Sequence, residues 1–257
     1  MITEQEVAQR AQRFGVATVQ IQRDHFISHV LAALPHDSRF SGGTALCRTY
    51  LEGTRLSEDI DLLGPDPSTS LAELEAALPA ALRREFPNSA WTERGSVDDG
   101  VAATFAPPGI VAIKVYVGQL HPVDPWEFAA TDVQLRYSDL PPTTSLLCPT
   151  LATFAAMKLS AWFDRHAPRD LYDLAGLAAT GILADPVVAD LFRAKHAVGL
   201  PVWEFARVPK STATAWETEL AGQVGVLPSA EECRATVGRA VAPPKESTPG
   251  DAPKVEE

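Results

Sequence analysis

The chain has 257 residues, with 22 Lys+Arg against 33 Asp+Glu and a formal net charge of −11. It is 46% apolar and 21% charged, usage that excludes wholesale disorder, collagen and coiled coil and allows one large domain or two tightly packed lobes. Three widely spaced cysteines, Cys47, Cys148 and Cys233, argue against a disulfide framework or structural zinc site, and the acidic balance disfavours nonspecific duplex binding.

In chain order, residues 3–34 read as one helix, with Val7, Phe14, Ile21, Ile27, Val30 and Leu34 at helical spacing and Pro35 as its stop. A short strand at Phe40–Ser41 turns at Gly42-Gly43 into a helix opening at Thr44. Residues 59–63, Asp-Ile-Asp-Leu-Leu, alternate with period two and stop at Gly64-Pro65, so they read as a strand. Leu71, Leu74, Leu78, Leu82 and Phe86 suggest a further helix. Residues 90–118 hold two or three β-rich runs, the best being Ile110–Val117, and strand-like residues follow at 133–138. From Cys148 the pattern is helical to about residue 241, and Pro-rich, polar 243–257 read as a disordered tail. The expectation is an α/β lobe over 1–142, a helical lobe over 143–242 and the tail. The N-terminal residues show no apolar targeting run, and the most apolar stretch, 146–163, is broken by Pro149 and Lys158. No membrane span and a cytoplasmic location are expected.

Two glycines at a strand-to-helix turn let backbone N–H groups approach an anion, and the new helix end favours negative charge. Ser41, Gly42, Gly43 and Thr44 are thus a candidate phosphate cradle, although neither GxxxxGK[ST] nor GxGxxG is present. Asp59 and Asp61, two apart on a strand, project to the same face. Two adjacent carboxylates call for a cation or proton between them, and Mg²⁺ favours one or two carboxylates plus substrate phosphates. The pattern reads as a metal–nucleotide site, the alternative being an edge strand with a charged solvent face. Lys158 lies in an otherwise apolar helical stripe and must snorkel or find an anion. His25 and His29 stand i,i+4 with no third ligand evident in sequence, and read as ordinary histidines. Cys47 reads as a small buried hydrophobe, and Trp203 and Trp216 as packing anchors.

The order Gly-Gly-Thr, then Arg-x-Ser-x-Asp-Ile-Asp-Leu over 55–62, resembles the polymerase-β-like nucleotidyltransferases. With Lys158-Leu159 and Arg169-Asp-Leu-Tyr-Asp-Leu174, it resembles the AbiEii/MenT nucleotidyltransferase toxins of type IV toxin–antitoxin systems. The resemblance implies a mixed-sheet α/β lobe with a helical lobe closing the cleft. It implies transfer of a nucleotide from an NTP to RNA, concretely a tRNA 3′ end, with translation blocked and a separate antitoxin as partner. It places Lys158 and Asp173 in the active site with Asp59 and Asp61, gives Arg55, Arg169 and Asp170 supporting roles, and makes Ser57 a position open to phosphorylation by an antitoxin. A third metal-binding carboxylate, frequent in the superfamily, is missing from 110–117. Two other readings are transfer to a small-molecule or protein hydroxyl, and an inactive partner-binding module. A basic surface patch of Arg48, Arg55, Arg165 and Arg169 would favour RNA.

Overall fold

A computed structural model describes residues 2–200 and 202–242; the tail expected over 243–257 lies outside the described residues. The N-terminal region forms two helices, α1 (Glu4–Phe14) and α2 (Thr18–Ala33), rather than one. Thr3 caps α1 by accepting from the Glu6 amide, and Gly15 ends it in a left-handed conformation, φ 66°. The break sits at Gly15 because the chain must adopt a positive φ there while its Cα passes close to Gly225.

Strand β1 (Arg39–Ser41) leads directly into α3 (Gly42–Thr49), so the two glycines form the first turn of that helix and do not precede it. Next come β2 (Asp59–Gly64) and α4 (Pro67–Ala81), the latter capped by Asp66 with Pro67 in its first turn. Leu82 and Phe86, expected on the helix, lie beyond its end and are buried all the same. Three strands follow, β3 (Ala90–Val97), β4 (Gly100–Ala106) and β5 (Ile113–Gln119), the last starting three residues later than the apolar run suggests. Strand β6 occupies Phe128–Gln134, so most of the strand-like run at 133–138 is loop, and β7 spans Thr143–Pro149.

The seven strands form one mixed sheet in the order β3-β4-β5-β2-β1-β7-β6. Strand β2 runs antiparallel to β1 and parallel to β5, which makes it central rather than an edge. Its burial alternates, Ile60 and Leu62 buried and Asp59 and Asp61 partly exposed, so its two faces separate core from site. Strand β7 pairs with β1 and β6, carrying the sheet past residue 142, where the helical lobe was expected to begin.

Thr150 caps α5 (Leu151–Arg165), and α6 (Pro168–Ala179), α7 (Pro186–His196), α8 (Lys210–Leu220) and α9 (Ala230–Val241) complete the helical part. Helix α6 packs against α5, α8 and α9. One continuous apolar core runs from Phe26, Ile60 and Phe105 through Phe154 and Trp162 to Leu174 and Val237, so sheet and helices share it. Trp216 is buried as expected, whereas Trp203 is 57% exposed and anchors nothing in the core. All three cysteines are free and buried. Among the described residues, no helix is long and apolar enough to cross a membrane.

Candidate active site

Register places Ser41 opposite Asp61 across the β1–β2 pair. The hydroxyl of Ser41 faces the Asp61 carbonyl oxygen at 3.5 Å, and Thr44 Oγ1 donates to the Asp59 carbonyl. Thr44 is buried, so its hydroxyl fastens α3 to β2 instead of adding to a cradle. Helix α3 has no side-chain cap at Ser41, which leaves its first amides available to an anion.

Gly42 has φ 72°, and a Cβ there would fall 2.0 Å from Asp61 Oδ2. A Cβ on Gly43 would fall 2.3 Å from Nη2 of Arg55. The pair of glycines is therefore required for a second reason: one side makes room for a carboxylate, the other for a guanidinium. Gly42→Ala is expected to lower stability by about 1–3 kcal/mol through the positive φ and to displace the Asp61 carboxylate. Thermal unfolding and a transfer assay on the same sample check both effects.

Burial pushes the Asp61 carboxyl up to about 6, the charge of Asp59 adds to the rise, and Lys158, Arg165 and Arg169 oppose it. Asp59 is also raised, chiefly by desolvation, against the charges of Arg169, Lys114 and Arg23. Arg169 Nη1 stands 3.8 Å from Asp59 Oδ2, and its Nε reaches Glu219 at 3.5 Å. Two carboxylates on one face, each destabilised in its charged form, make an oxygen donor set suited to a hard divalent cation. On the neighbouring strand, Lys114 faces Asp59 and Tyr116 faces Asp61, so β5 supplies no third carboxylate.

Behind these carboxylates lies a buried chain of charges. Arg55 donates to both oxygens of Asp173 from Nε (2.8 Å) and Nη2 (2.9 Å), and to Gln223 Oε1 from Nη1 (2.8 Å). Lys158 Nζ lies 2.7 Å from Asp173 Oδ2 and 3.0 Å from Asp170 Oδ1. Arg165 donates to Asp170 from Nε at 2.8 Å and from Nη2 at 3.2 Å. Burial would raise the Asp173 carboxyl, yet the charges of Arg55 and Lys158 overcome it and hold it at about 2. Asp173 is thus a permanently ionised anchor. Lys158 has found its anions, with two carboxylates of α6 holding its ammonium in the apolar stripe of α5.

The structure brings Ser41–Thr44, Asp59, Asp61, Arg55, Lys158, Arg169, Asp170 and Asp173 into one region. Arg55, read from sequence as a supporting residue, is its central buried cation. Arg165, read from sequence only as part of a surface patch, belongs to the same network, as does Gln223, which no local spacing ties to residues 40–60. Ser57 lies two residues before the start of β2 and is only 9% exposed. Of the four arginines that would form a basic patch, Arg48 and Arg55 are buried. Arg48 is spent on Asp24 (2.7 Å), Ser28 and the Gln134 carbonyl. Arg165 and Arg169 alone reach solvent, their side chains 64% and 40% exposed.

The chain resembles the nucleotidyltransferase toxin MenT4, Rv2826c, of Mycobacterium tuberculosis H37Rv, with a TM-score of 0.70 and 20% identity over 94% of this chain and 89% of that one. It also resembles a protein from H. pylori classed with the nucleotidyltransferases, with a TM-score of 0.52 and 16% identity over 93% and 94% of the two chains. At these identities the likeness concerns the fold. No curated protein matches the chain. The family model for the nucleotidyl transferase AbiEii toxin of type IV toxin–antitoxin systems matches residues 25–236, and the chain therefore belongs to that family of nucleotidyltransferases.

Proposed function

We propose that the protein transfers a nucleotide from an NTP to a hydroxyl of an RNA acceptor, most concretely a tRNA 3′ end, and so blocks translation. The observation that carries an anionic substrate is the set of cations around the carboxylate pair: Arg23, Lys114, Lys158, Arg165 and Arg169 all bear on Asp59 or Asp61 in a chain of net charge −11. These cations give a polyphosphate oppositely charged groups to bind beside the carboxylate pair, on a body that otherwise repels it.

Asp59 and Asp61 would hold a divalent cation, Mg²⁺ in this reading, which when bound supplies charge neutralisation at the phosphates and the leaving pyrophosphate. The uncapped amides of α3 receive phosphate oxygens, with Gly42 and Gly43 allowing the close approach. Lys158, held on two carboxylates, presents fixed positive charge behind Asp61. Asp173 positions Lys158 and Arg55; held at about 2, it is a poor base. Arg165 and Arg169 sit at the exposed rim, where an acceptor backbone arrives. The α/β lobe and the helices of 143–242 supply the two walls of this cleft, and the cytoplasm holds the substrates such chemistry needs. A separate antitoxin chain is the expected partner.

Incubating the protein with each labelled NTP, total RNA and Mg²⁺ tests this reading. Label in the tRNA band that disappears with EDTA is expected. Label on protein or on a small molecule would move the acceptor class, and no label from any NTP would overturn transfer altogether.

Control through Ser57 belongs to the same reading. A phosphoryl group there would add about −1.5 to −2 charge two residues before Asp59, although its hydroxyl must first be uncovered. Ser57→Asp is expected to lose most transfer and Ser57→Ala to keep it, both with folded-state circular dichroism. Full activity in folded Ser57→Asp would remove the position as an off-switch.

A further inference from the structure

Away from the carboxylate pair, α2 and the loop between β6 and β7 bring three potential ligands together. Nε2 of His25 lies 3.1 Å from Nε2 of His29 and 3.0 Å from Oδ2 of Asp139, and Nε2 of His29 lies 3.3 Å from the same oxygen. Both imidazoles are buried, with ring planes 86° apart, and Phe86 packs on both rings.

Whichever tautomers the two imidazoles adopt while Asp139 is ionised, like groups are crowded along at least one edge of this triangle. If both histidines donate to Oδ2, two N–H groups confront each other at 3.1 Å. If one imidazole accepts from the other, its lone pair faces the carboxylate oxygen instead. A cation at the centre meets all three lone pairs at once. Three ligands of a tetrahedral ion with bonds of about 2.0–2.1 Å stand about 3.3 Å apart, and the three observed edges fall within a few tenths of an ångström of that.

We propose that His25, His29 and Asp139 form a binding site for a transition-metal dication of the Zn²⁺ class. Two imidazoles and one carboxylate match the preferences of that ion, and three protein ligands leave a fourth position for water or a further donor. A recess of about 370 Å³ is bordered by His25, Gln22 and Phe86, so one of the three ligands lines it. Spacing i,i+4 on α2 supplies two ligands from one helix face, and the third arrives 110 residues after His29, from the loop of the β6–β7 hairpin.

The metal would tie α2 to the β6–β7 loop. That loop also carries Arg136, which donates to Asp24 (3.1 Å) and to the Cys47 carbonyl near the end of α3 (2.7 Å), and Tyr137, which donates to Asp24 (2.9 Å). The site is thus built into the support of the helix whose other end opens on the nucleotidyltransferase centre. It shares no ligand with Asp59 or Asp61.

Untagged, chelator-treated full-length protein is titrated with Zn²⁺ by calorimetry and with Co²⁺ by visible absorption, alongside His29→Gln and Asp139→Asn. Expected are one equivalent of Zn²⁺, an intense tetrahedral-type Co²⁺ band displaced by Zn²⁺, and a loss of affinity of at least roughly tenfold in each variant. Asp139 lies on a surface loop, so Asp139→Asn is read even if His29→Gln folds poorly. Wild-type protein without a stoichiometric Zn²⁺ site, or Zn²⁺ binding unchanged in Asp139→Asn, would overturn the proposal.

Discussion

Asp61→Asn is expected to abolish transfer and at the same time to stabilise the folded, metal-free protein. The side chain sits against Gly42 and beside Asp59, and its carboxyl is pushed up to about 6 from an unfolded value near 3.9. Between about pH 4 and pH 6 the folded state therefore holds more protons than the unfolded state, so stability falls as pH rises through that window. The whole shift corresponds to roughly 3 kcal/mol, lost in full above the folded value when no cation is bound. Asparagine keeps the shape and removes the charge. Its melting temperature should exceed that of wild type by several degrees at about pH 8 and match it at about pH 4. Added Mg²⁺ should raise the wild-type value and leave Asp61→Asn unmoved, because only the former gains a ligand. Transfer should fall by at least roughly a thousandfold, on the scale of the several kcal/mol that metal charge stabilisation supplies. Near-wild-type transfer in the variant would take Asp61 out of the metal-binding set.

How much of this centre was legible in the sequence depends on how local each signal is. The Asp59–Leu63 alternation and its stop at Gly64-Pro65 mark a strand with both carboxylates on one face, and β2 lies there. The Gly42-Gly43 pair marks the strand-to-helix turn, though the crowding that demands it comes from Asp61 and Arg55, which spacing does not reveal. The split between α1 and α2 was hidden because apolar residues keep helical spacing across Gly15, and only its tertiary contact with Gly225 shows why the helix ends. Strand β6 was displaced because Phe128–Gln134 lacks a clean alternation: it is largely exposed and buries little but Val133. Strand β7 was absorbed into the helical half because Leu146, Leu147 and Cys148 run straight into the apolar α5. Long-range partners were the least visible. Nothing near Arg55 announces Asp173, which lies 118 residues away, and nothing near His25 and His29 announces Asp139.

Asp173→Ala should be the most destabilising single change in the site, costing about 3–5 kcal/mol, because it leaves buried Arg55 without a carboxylate and takes from Lys158 the nearer of its two. Arg55 is 2% exposed and spends two of its donors on this carboxylate, and Lys158 makes its shortest contact, 2.7 Å, to the same group. Gln223 remains to Arg55 and Asp170 remains to Lys158, but neither replaces the lost charge between them. Lys158→Met differs in kind. It leaves Asp173 paired with Arg55 and Asp170 paired with Arg165, so no remaining charge is buried alone, and the methionine fits the apolar stripe of α5. Its stability loss should be much the smaller of the two, with transfer falling steeply because the fixed positive charge behind Asp61 is gone. The pH dependence separates the pairs as well. Asp173 is held at about 2, below its unfolded value, so its contribution is present above about pH 4 and is lost only as pH falls toward 2. Stability referred to Asp173→Ala should therefore show no titration between pH 5 and 8, the range about which Asp61 ionises. Urea unfolding of wild type, Asp173→Ala and Lys158→Met across that range gives the comparison. Equal losses in the two variants would mean that the Lys158 contact between α5 and α6, and not the Arg55–Asp173 pair, carries the stability of this network.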